Sequence, residues 1–501
     1  MSRKYPKILR NRKQRITRRL KPHAWPEQAQ PMFAGSNIHY EMAEKTQALG
    51  CGGIGAVHLL CQKIGLVDLL NQKVTVLKRH LPYHESDHVL NLAYNIMAGG
   101  VRLEDIELRR HDEGFLNGLG AQRIPDPTTA GDFTRRFEPQ DIMDLMDAIN
   151  AARQRVWNQQ PEGFLARAVI DVDGTIAGTL GECKGGMDIS YKGIWGYAPL
   201  IVSLANTQEV LYLINRPGNA ASHDGAGPWI DRAIALVQPT AGQVHLRGDT
   251  DFSLTGKFDA WDEAGVTFTF GMDASPKLVG LAQSLPEAHW RGLARVSPEI
   301  QTEPRERPEN VKERIVRERG FLNQRLESEQ VAEFEYQPGK CQKRYRMVVL
   351  RKNLSLERGE HVLLDEIRYF FYISNRRDLA WDGIVQDANQ RCNQENVIEQ
   401  LKNGVNAMRM PVNDLHSNWA YMVMAALAWN LKAWFGLMVP NRERGLELVK
   451  MEFRSFLAAV LVVPAQIIRT GRKIIYRILG YNGWLKDFFA TWERLRRMEA
   501  S

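Results

Sequence analysis

The 501-residue chain has only five cysteines, Cys51, Cys61, Cys183, Cys341 and Cys392, an odd number, widely spaced and without a CxxC pair. That pattern excludes a disulfide framework and a zinc knuckle, and leaves reduced thiols as the ordinary expectation. Long apolar runs are missing as well. The longest, Trp419 to Trp429, is closed off by Asn430 and Lys432 and falls short of the roughly 20 residues that a bilayer-crossing helix needs. No membrane partner is expected. Acidic residues are absent before Glu27, and charge recurs so often in that stretch that no secretory apolar segment fits within it. The expected compartment is the cytoplasm. Internal repeats and low-complexity blocks are also lacking.

What the first stretch does have is positive charge. Ten basic residues fall between Arg3 and Lys21, among them Arg10, Arg12, Lys13, Arg15, Arg18 and Arg19. Over the whole chain 66 Lys and Arg stand against 58 Asp and Glu, a net +8, which is a modest excess. Its concentration at one end reads as a flexible arm, residues 1–30, that binds phosphates of a polyanion. With 44% hydrophobic residues, the remainder is long enough for a large core and several domains.

The chain then divides by pattern. Residues 31–160 read as helical, with Gly55–Ile64 and Val89–Ala98 carrying apolar residues at three and four spacing. This region suits DNA binding or dimerisation. Near Ala166 the pattern changes to a β-branched run ending in acids and glycine, Ala168 to Thr175, a strand. Tyr197–Leu204 and Glu209–Ile214 follow as a hairpin, Gln243–Arg247 as a fourth strand and Val266–Phe270 as a fifth, with helices expected at Trp229–Val237 and Phe252–Glu263. The fold class is α/β. Residues 273–378 depart from this alternation, with strands at Val331–Tyr336, Tyr345–Leu350 and Tyr369–Ser374, and read as a β-rich insertion. Helix returns over Leu379–Asn406, and residues 411–501 read as a helical C-terminal region with a basic face at Arg469–Arg477.

Three acids suit one chemistry. Moving a phosphodiester calls for charge neutralisation and an activated oxygen, which two divalent ions about 4 Å apart supply together, and hard ions such as Mg²⁺ take carboxylate oxygens. Asp173 ends the first strand and Asp249 follows the fourth in Arg-Gly-Asp-Thr-Asp-Phe. If those strands are neighbours, both acids project from one sheet edge. Glu395 adds a third acid from a helix. Arg391, Glu395 and Lys402 fall within roughly 40° of one another at about 100° per residue, so the two cations are candidates to hold phosphate while Glu395 holds metal. An acid at a strand end is by itself a common turn residue, and a mixed-charge helix face is commonly a solvated one. The weight lies in the combination. Asp171 and Asp251, each two residues from a chosen acid, are the second choices.

These residues resemble the DDE insertion-sequence transposases, in the branch with a Tyr-x2-Arg-x3-Glu-x6-Lys signature, and most closely its 1380 group. Arg391, Glu395 and Lys402 match that spacing, Asp173-Gly-Thr looks like the first-acid motif, and Arg247-Gly-Asp-Thr-Asp-Phe looks like the second. The signature's tyrosine is replaced by Ala388. The resemblance implies an RNase H-like catalytic core over residues 161–272 and 379–410. It implies catalysis by Asp173, Asp249 and Glu395 with two Mg²⁺ ions, Mn²⁺ substituting. It further implies cut-and-paste transposition on double-stranded DNA, at terminal inverted repeats and a target, by a homodimer in a synaptic complex on the bacterial nucleoid. Two other readings fit the same acids: an RNase H-like nuclease without strand transfer, and a transposase-derived DNA-binding protein that no longer catalyses.

Overall fold

A computed structural model describes residues 4–20, 39–40, 46–80, 82–293, 310–358, 361–471 and 473–499. Its centre is a strand buried along most of its length. β1 (Arg167–Gly174) carries the apolar run Ala168, Val169, Ile170 and Val172, all buried, because both faces of the sheet are covered there. β2 (Leu200–Leu204) and β3 (Glu209–Ile214) form the expected hairpin, antiparallel to each other, with β2 also antiparallel to β1. β4 (Gln243–Gly248) runs parallel to β1 on its other side, and β5 (Thr267–Met272) runs parallel to β4.

The insertion extends this same sheet. β6 (Leu322–Tyr336), β7 (Tyr345–Arg358) and β8 (His361–Ser374) form long antiparallel ribbons of 15, 14 and 14 residues. The last four residues of β8 pair with β5, so the spatial order is β6-β7-β8-β5-β4-β1-β2-β3, with the two-residue strand Arg291–Gly292 beside β6. Within the insertion Val311–Glu318 is a helix, and residues 294–309 lie outside the described ones.

Helices occupy the rest. α1 (Lys4–Leu20) precedes α2 (Ile54–Lys63), α3 (Leu66–Lys73), α4 (Glu85–Met97) and α5 (Pro139–Trp157). α6 (Ala226–Val237) and α7 (Phe258–Glu263) connect the core strands, and α8 (Trp381–Asn389) and α9 (Cys392–Glu399) follow the insertion. Towards the C-terminus lie α10 (Leu415–Leu437), α11 (Arg442–Lys450) and α12 (Leu485–Arg497), with shorter helices between the labelled ones. α10 is apolar on all sides because it is enclosed: it packs against α4, α5, α11 and β3. Among the described residues no single helix is long and apolar enough to cross a membrane.

Two expectations need correction. The basic stretch is not a flexible arm over its described length: residues 4–20 form α1, and Arg12 donates to the carbonyls of Ile478 and Gly480 at 3.2 and 3.1 Å. The C-terminal region is not wholly helical, since Ala465–Thr470 (β9) and Lys473–Ile478 (β10) form a hairpin that also pairs with Ala48–Leu49. The basic face at Arg469–Arg477 is therefore a strand surface. The hydrophobic core runs unbroken from Leu49 to Leu495, so the N-terminal and C-terminal helices share one interior.

β3 is a sheet edge, and α10 covers it. Asn430 accepts from Val210 N at 2.9 Å and donates to Val210 O at 3.0 Å, while Trp429 donates to Gln208 O at 2.6 Å. Side chains thus satisfy strand groups that would otherwise be exposed to pairing. Beneath them Glu209, fully buried, accepts from Arg153 Nε (2.9 Å), Trp157 Nε1 (3.1 Å) and Trp434 Nε1 (2.6 Å), and from the Thr207 hydroxyl. One carboxylate thereby fastens α5 and α10 to β3. Glu209→Ala leaves Arg153 charged and unpaired in a dry site, and should cost about 3–5 kcal/mol, read as a fall in the chemical-denaturation midpoint. Glu209→Gln, which keeps some of the acceptors, should cost less.

Candidate active site

β1 and β4 are parallel neighbours in a register that sets Asp171 opposite Arg247. Their side chains meet in a two-pronged ion pair, Nε to Oδ1 at 2.7 Å and Nη2 to Oδ2 at 2.9 Å. Both residues are buried. Burial pushes the Asp171 carboxyl up, and the Arg247 guanidinium opposes that rise. Two residues further along each strand stand Asp173 and Asp249, which by the two-residue period of a strand face the same side. Asp171, a second choice from the sequence, is thus tied to Arg247. Asp251, the other, is exposed; its N–H donates to Asp249 Oδ1 at 3.0 Å, and its charge helps raise the Asp249 carboxyl, behind the larger effect of burial.

That N–H helps fix Asp249 at the mouth of a tight turn, Thr250–Phe252. Gly248 just before it is required by contact: a Cβ there would come within 2.9 Å of Phe252 Cβ and of the Phe270 ring. The Arg-Gly-Asp spacing therefore has a packing cause on one side and an ion pair on the other.

Behind the pair lies a network that sequence reasoning missed. Asp387 of α8 accepts from His245 Nε2 at 2.7 Å and from Thr269 Oγ1 at 2.8 Å, and its main-chain carbonyl accepts from Arg247 Nη1 at 3.2 Å. Burial works against ionising Asp387, but the hydrogen bonds from His245 and Thr269 and the charge of Arg247 outweigh it and hold the carboxyl at about 2. Burial also lowers His245. The one signal in the sequence is a pair of polar residues, His245 and Arg247, alternating with Val244 and Leu246 in a buried strand.

α9 brings the remaining candidates. Gln394 anchors it to β2, accepting from Ser203 Oγ at 2.9 Å and donating to Ile201 O at 3.1 Å. The next residue, Glu395, is exposed. Arg391, expected on phosphate, reaches instead across to Asp173, Nη1 to Oδ2 at 2.9 Å. Its charge also acts on Asp249. Lys402 lies in a π-helical turn, Gln400–Gly404, rather than in regular α-helix, so the 40° alignment reckoned at 100° per residue does not hold there. Burial lowers the Lys402 amine, Glu399 opposes this, and nearby Lys192 adds to it. Ala388, at the signature's tyrosine position, is half-buried near the end of α8.

The structure therefore gathers Asp173, Asp249 and Arg391, with Glu395 on the same helix as Arg391. It does not draw the three acids around one point. Among the described residues, the group whose ligand atoms all lie within 4.8 Å of one another is His80, His84 and Glu85, at the start of α4. The N-terminal cations are placed apart from the acids: Arg10, Lys13, Arg15 and Arg18 are exposed along α1, Arg12 is on the C-terminal hairpin, and the Arg19 side chain lies outside the described residues.

Burial raises Asp173 to about 6, Arg391 opposes the rise, and Asp249 adds to it; burial raises Asp249 too. A carboxyl at about 6 when folded, against 3.8 ordinarily, binds more protons folded than unfolded between those values. Its contribution to stability is therefore lost as pH rises, by at most about 3 kcal/mol above pH ~6. In chelator, Asp173→Asn should raise the melting temperature near pH 7.5, and the gain should vanish near pH 4. Equal gains at both pH values would contradict the burial argument.

No sequence among the curated proteins matches the chain. Among solved structures it is similar to a piggyBac transposase in a synaptic complex with hairpin DNA, at 12% identity over 83% of this chain and 84% of that one. The TM-score of 0.34 is too low for that likeness to carry any argument. The model of the family described as transposase DDE domain group 1, however, matches residues 47–500, nearly the whole chain and all three candidate acids. The chain belongs to that family, and it is a DDE transposase, an enzyme that cleaves and joins DNA.

Proposed function

We propose that the chain carries out cut-and-paste transposition of an insertion sequence of the 1380 group, with Asp173, Asp249 and Glu395 as metal ligands. Enzymes of the family act with divalent ions; here the ions are two Mg²⁺, replaceable by Mn²⁺. The observation that carries this reading is the placement of Asp173 and Asp249 at the ends of neighbouring parallel strands, with Arg391, the residue that caps the helix bearing Glu395, as their counter-charge. The order β3-β2-β1-β4-β5, with β2 alone antiparallel to both its neighbours, supports an RNase H-like core over residues 161–272 and 379–410, with 273–378 as its insertion.

The donor set fits a divalent cation. Two half-buried carboxyls pushed above their usual range are held together at a cost that a cation relieves. Two bound ions would neutralise charge on the phosphate and activate the attacking oxygen. The chain's own residues do the rest. Asp173 and Asp249 offer hard oxygens from a rigid sheet, Gln394 holds α9 so that Glu395 is carried at the same edge, and Arg391, once released from Asp173, is the cation nearest an incoming phosphate. The helices of 31–160, with α1, supply contacts to the ends of the double-stranded DNA, and a homodimer pairs two inverted repeats before joining them to a target on the nucleoid.

Asp173→Ala, Asp249→Ala and Glu395→Ala should each abolish cleavage of end DNA in Mg²⁺ or Mn²⁺ while leaving its binding largely intact. Wild-type cleavage in any of them removes that residue from the site. Ca²⁺, larger and looser in coordination, should support binding without cleavage. Arg391→Ala should lower single-turnover cleavage on the order of a hundredfold through misplacement of the phosphate.

Deleting residues 2–21 removes α1 and, with its flanking residues, ten positive charges. Affinity for end DNA and unrelated DNA should fall alike, with a shallower salt dependence, and cleavage at saturating DNA should survive. A binding series across salt with a parallel cleavage assay decides it, and loss of cleavage at saturation would give α1 a different role.

A further inference from the structure

Between β1 and β2 the chain makes an excursion, residues 175–199, that the catalytic arrangement does not use. It begins immediately after Asp173-Gly174 and is closed by Thr175 N donating to Pro199 O at 2.9 Å. Within it, Trp195–Tyr197 is the middle strand of a small sheet, paired on one side with Ala177–Gly178 and on the other with Asp188–Ile189.

The base of this sheet is fixed. Lys184 Nζ donates to the carbonyls of Met410 and Val412 at 2.6 and 2.7 Å, Gly185 N donates to Asn413 O at 2.7 Å, and the fully buried Tyr197 donates its hydroxyl to Gly185 O at 3.0 Å. The tip is equally defined. Ser190 N donates to Ile194 O at 2.9 Å, Gly193 N donates to Ser190 O at 2.8 Å, and the Ser190 hydroxyl accepts from Ile194 N at 3.1 Å. Gly193 sits at φ +72, a left-handed position that glycine takes without strain. This turn thrusts out two side chains, Tyr191 and Lys192.

Those side chains are unusual for a surface. Tyr191 is 85% exposed and Trp195 53%, with Ile189 and Ile194 beside them at 44% and 43%. Lys192 Nζ stands 5.4 Å from the Tyr191 ring centroid and forms no ion pair with a carboxylate among the described residues. Its charge is felt by Lys402, seven residues along the chain from Glu395. A rigid aromatic face flanked by unpaired cations, beside a site that acts on DNA, matches what single-stranded nucleic acid requires: a surface for base stacking and positive charge for the backbone. Bases inside a duplex are already stacked, so only an unpaired base can use such a face.

We propose that the Ser190–Ile194 hairpin is a stacking platform for an unpaired nucleotide of the DNA strand at the active site, with Tyr191, backed by Trp195, against the base and Lys192 with Lys402 against its phosphates. This rests on the transposase reading above, and its test is a binding measurement that needs no metal and no cleavage. The probes are a duplex with a short single-stranded extension, the same duplex made blunt, and the extended duplex with a fluorescent purine analogue in the extension. Tyr191→Ala should weaken binding of the extended duplex about tenfold, the worth of one aromatic–base stack, and should abolish quenching of the analogue. Blunt-duplex affinity and melting temperature should stay unchanged. Tyr191→Phe, which keeps the ring, should behave as wild type, and Lys192→Ala should make the salt dependence for the extended duplex shallower. Equal loss on blunt and extended DNA, unchanged quenching in Tyr191→Ala, or conversion of a wild-type dimer to a monomer by Tyr191→Ala with Trp195→Ala would overturn the platform, the last by assigning the patch to a second copy. Should the metal-ligand variants still cleave, the triad falls while the platform result stands.

Discussion

The clasp of Asp171 by Arg247 is the interaction on which the rest of the catalytic region depends. Two full charges are buried between parallel strands, and they are tolerable there because both prongs of the guanidinium are matched and its Nη1 donates to the Asp387 carbonyl and to Gln390 Oε1. The pair locks the register of β1 against β4, so Asp173 and Asp249 end up on neighbouring strand ends and on one face. A slip of one residue would send one of them to the opposite face. Through Asp387 the same arginine also holds α8, and the chain leaving α8 enters the helix that carries Arg391 and Glu395. Register, helix position and site are consequences of a single ion pair.

A second constraint follows. With Asp171 neutralised, the site concentrates uncompensated negative charge at Asp173 and Asp249, and Arg391 bridges that charge from the far side. An arginine in this place is a reversible occupant. It keeps two carboxyls together before a cation arrives and has a phosphate to turn to afterwards, since its fork matches both kinds of oxygen pair.

Much of this was legible beforehand. The β-branched run ending at Asp173, the hairpin after it and the acid after β4 were visible because strands buried on both faces read as apolar runs, and because acids at their ends interrupt those runs abruptly. Glu395 is singled out by the spacing of its neighbours, and the structure leaves it exposed. Choosing Asp173 over Asp171 could not be settled from the residues, since both lie on the same face; what separates them is Arg247, a partner 76 residues away. His245 and Asp387 were missed for the same reason, a buried polar pair made across 142 residues. The π-helical turn at Lys402 broke a reckoning that assumed regular helix. Arg469–Arg477 misled because a basic hairpin and a basic helix face have similar compositions, and its partner strand Ala48–Leu49 comes from the other end of the chain. α1 was taken for a loose arm because charge density was read without the carbonyls of Ile478 and Gly480 that receive Arg12.

Within the sheet, β8 pairs with the last core strand, β5, only over Phe371 to Ser374, so ten residues of β8, from His361 to Phe370, project past it. At about 3.3 Å per residue this overhang measures roughly 33 Å, which is close to one helical repeat of B-form DNA. It is a ruler with its zero mark beside the acids: a duplex laid along it would show the same groove at the ribbon's outer end as at the scissile phosphate.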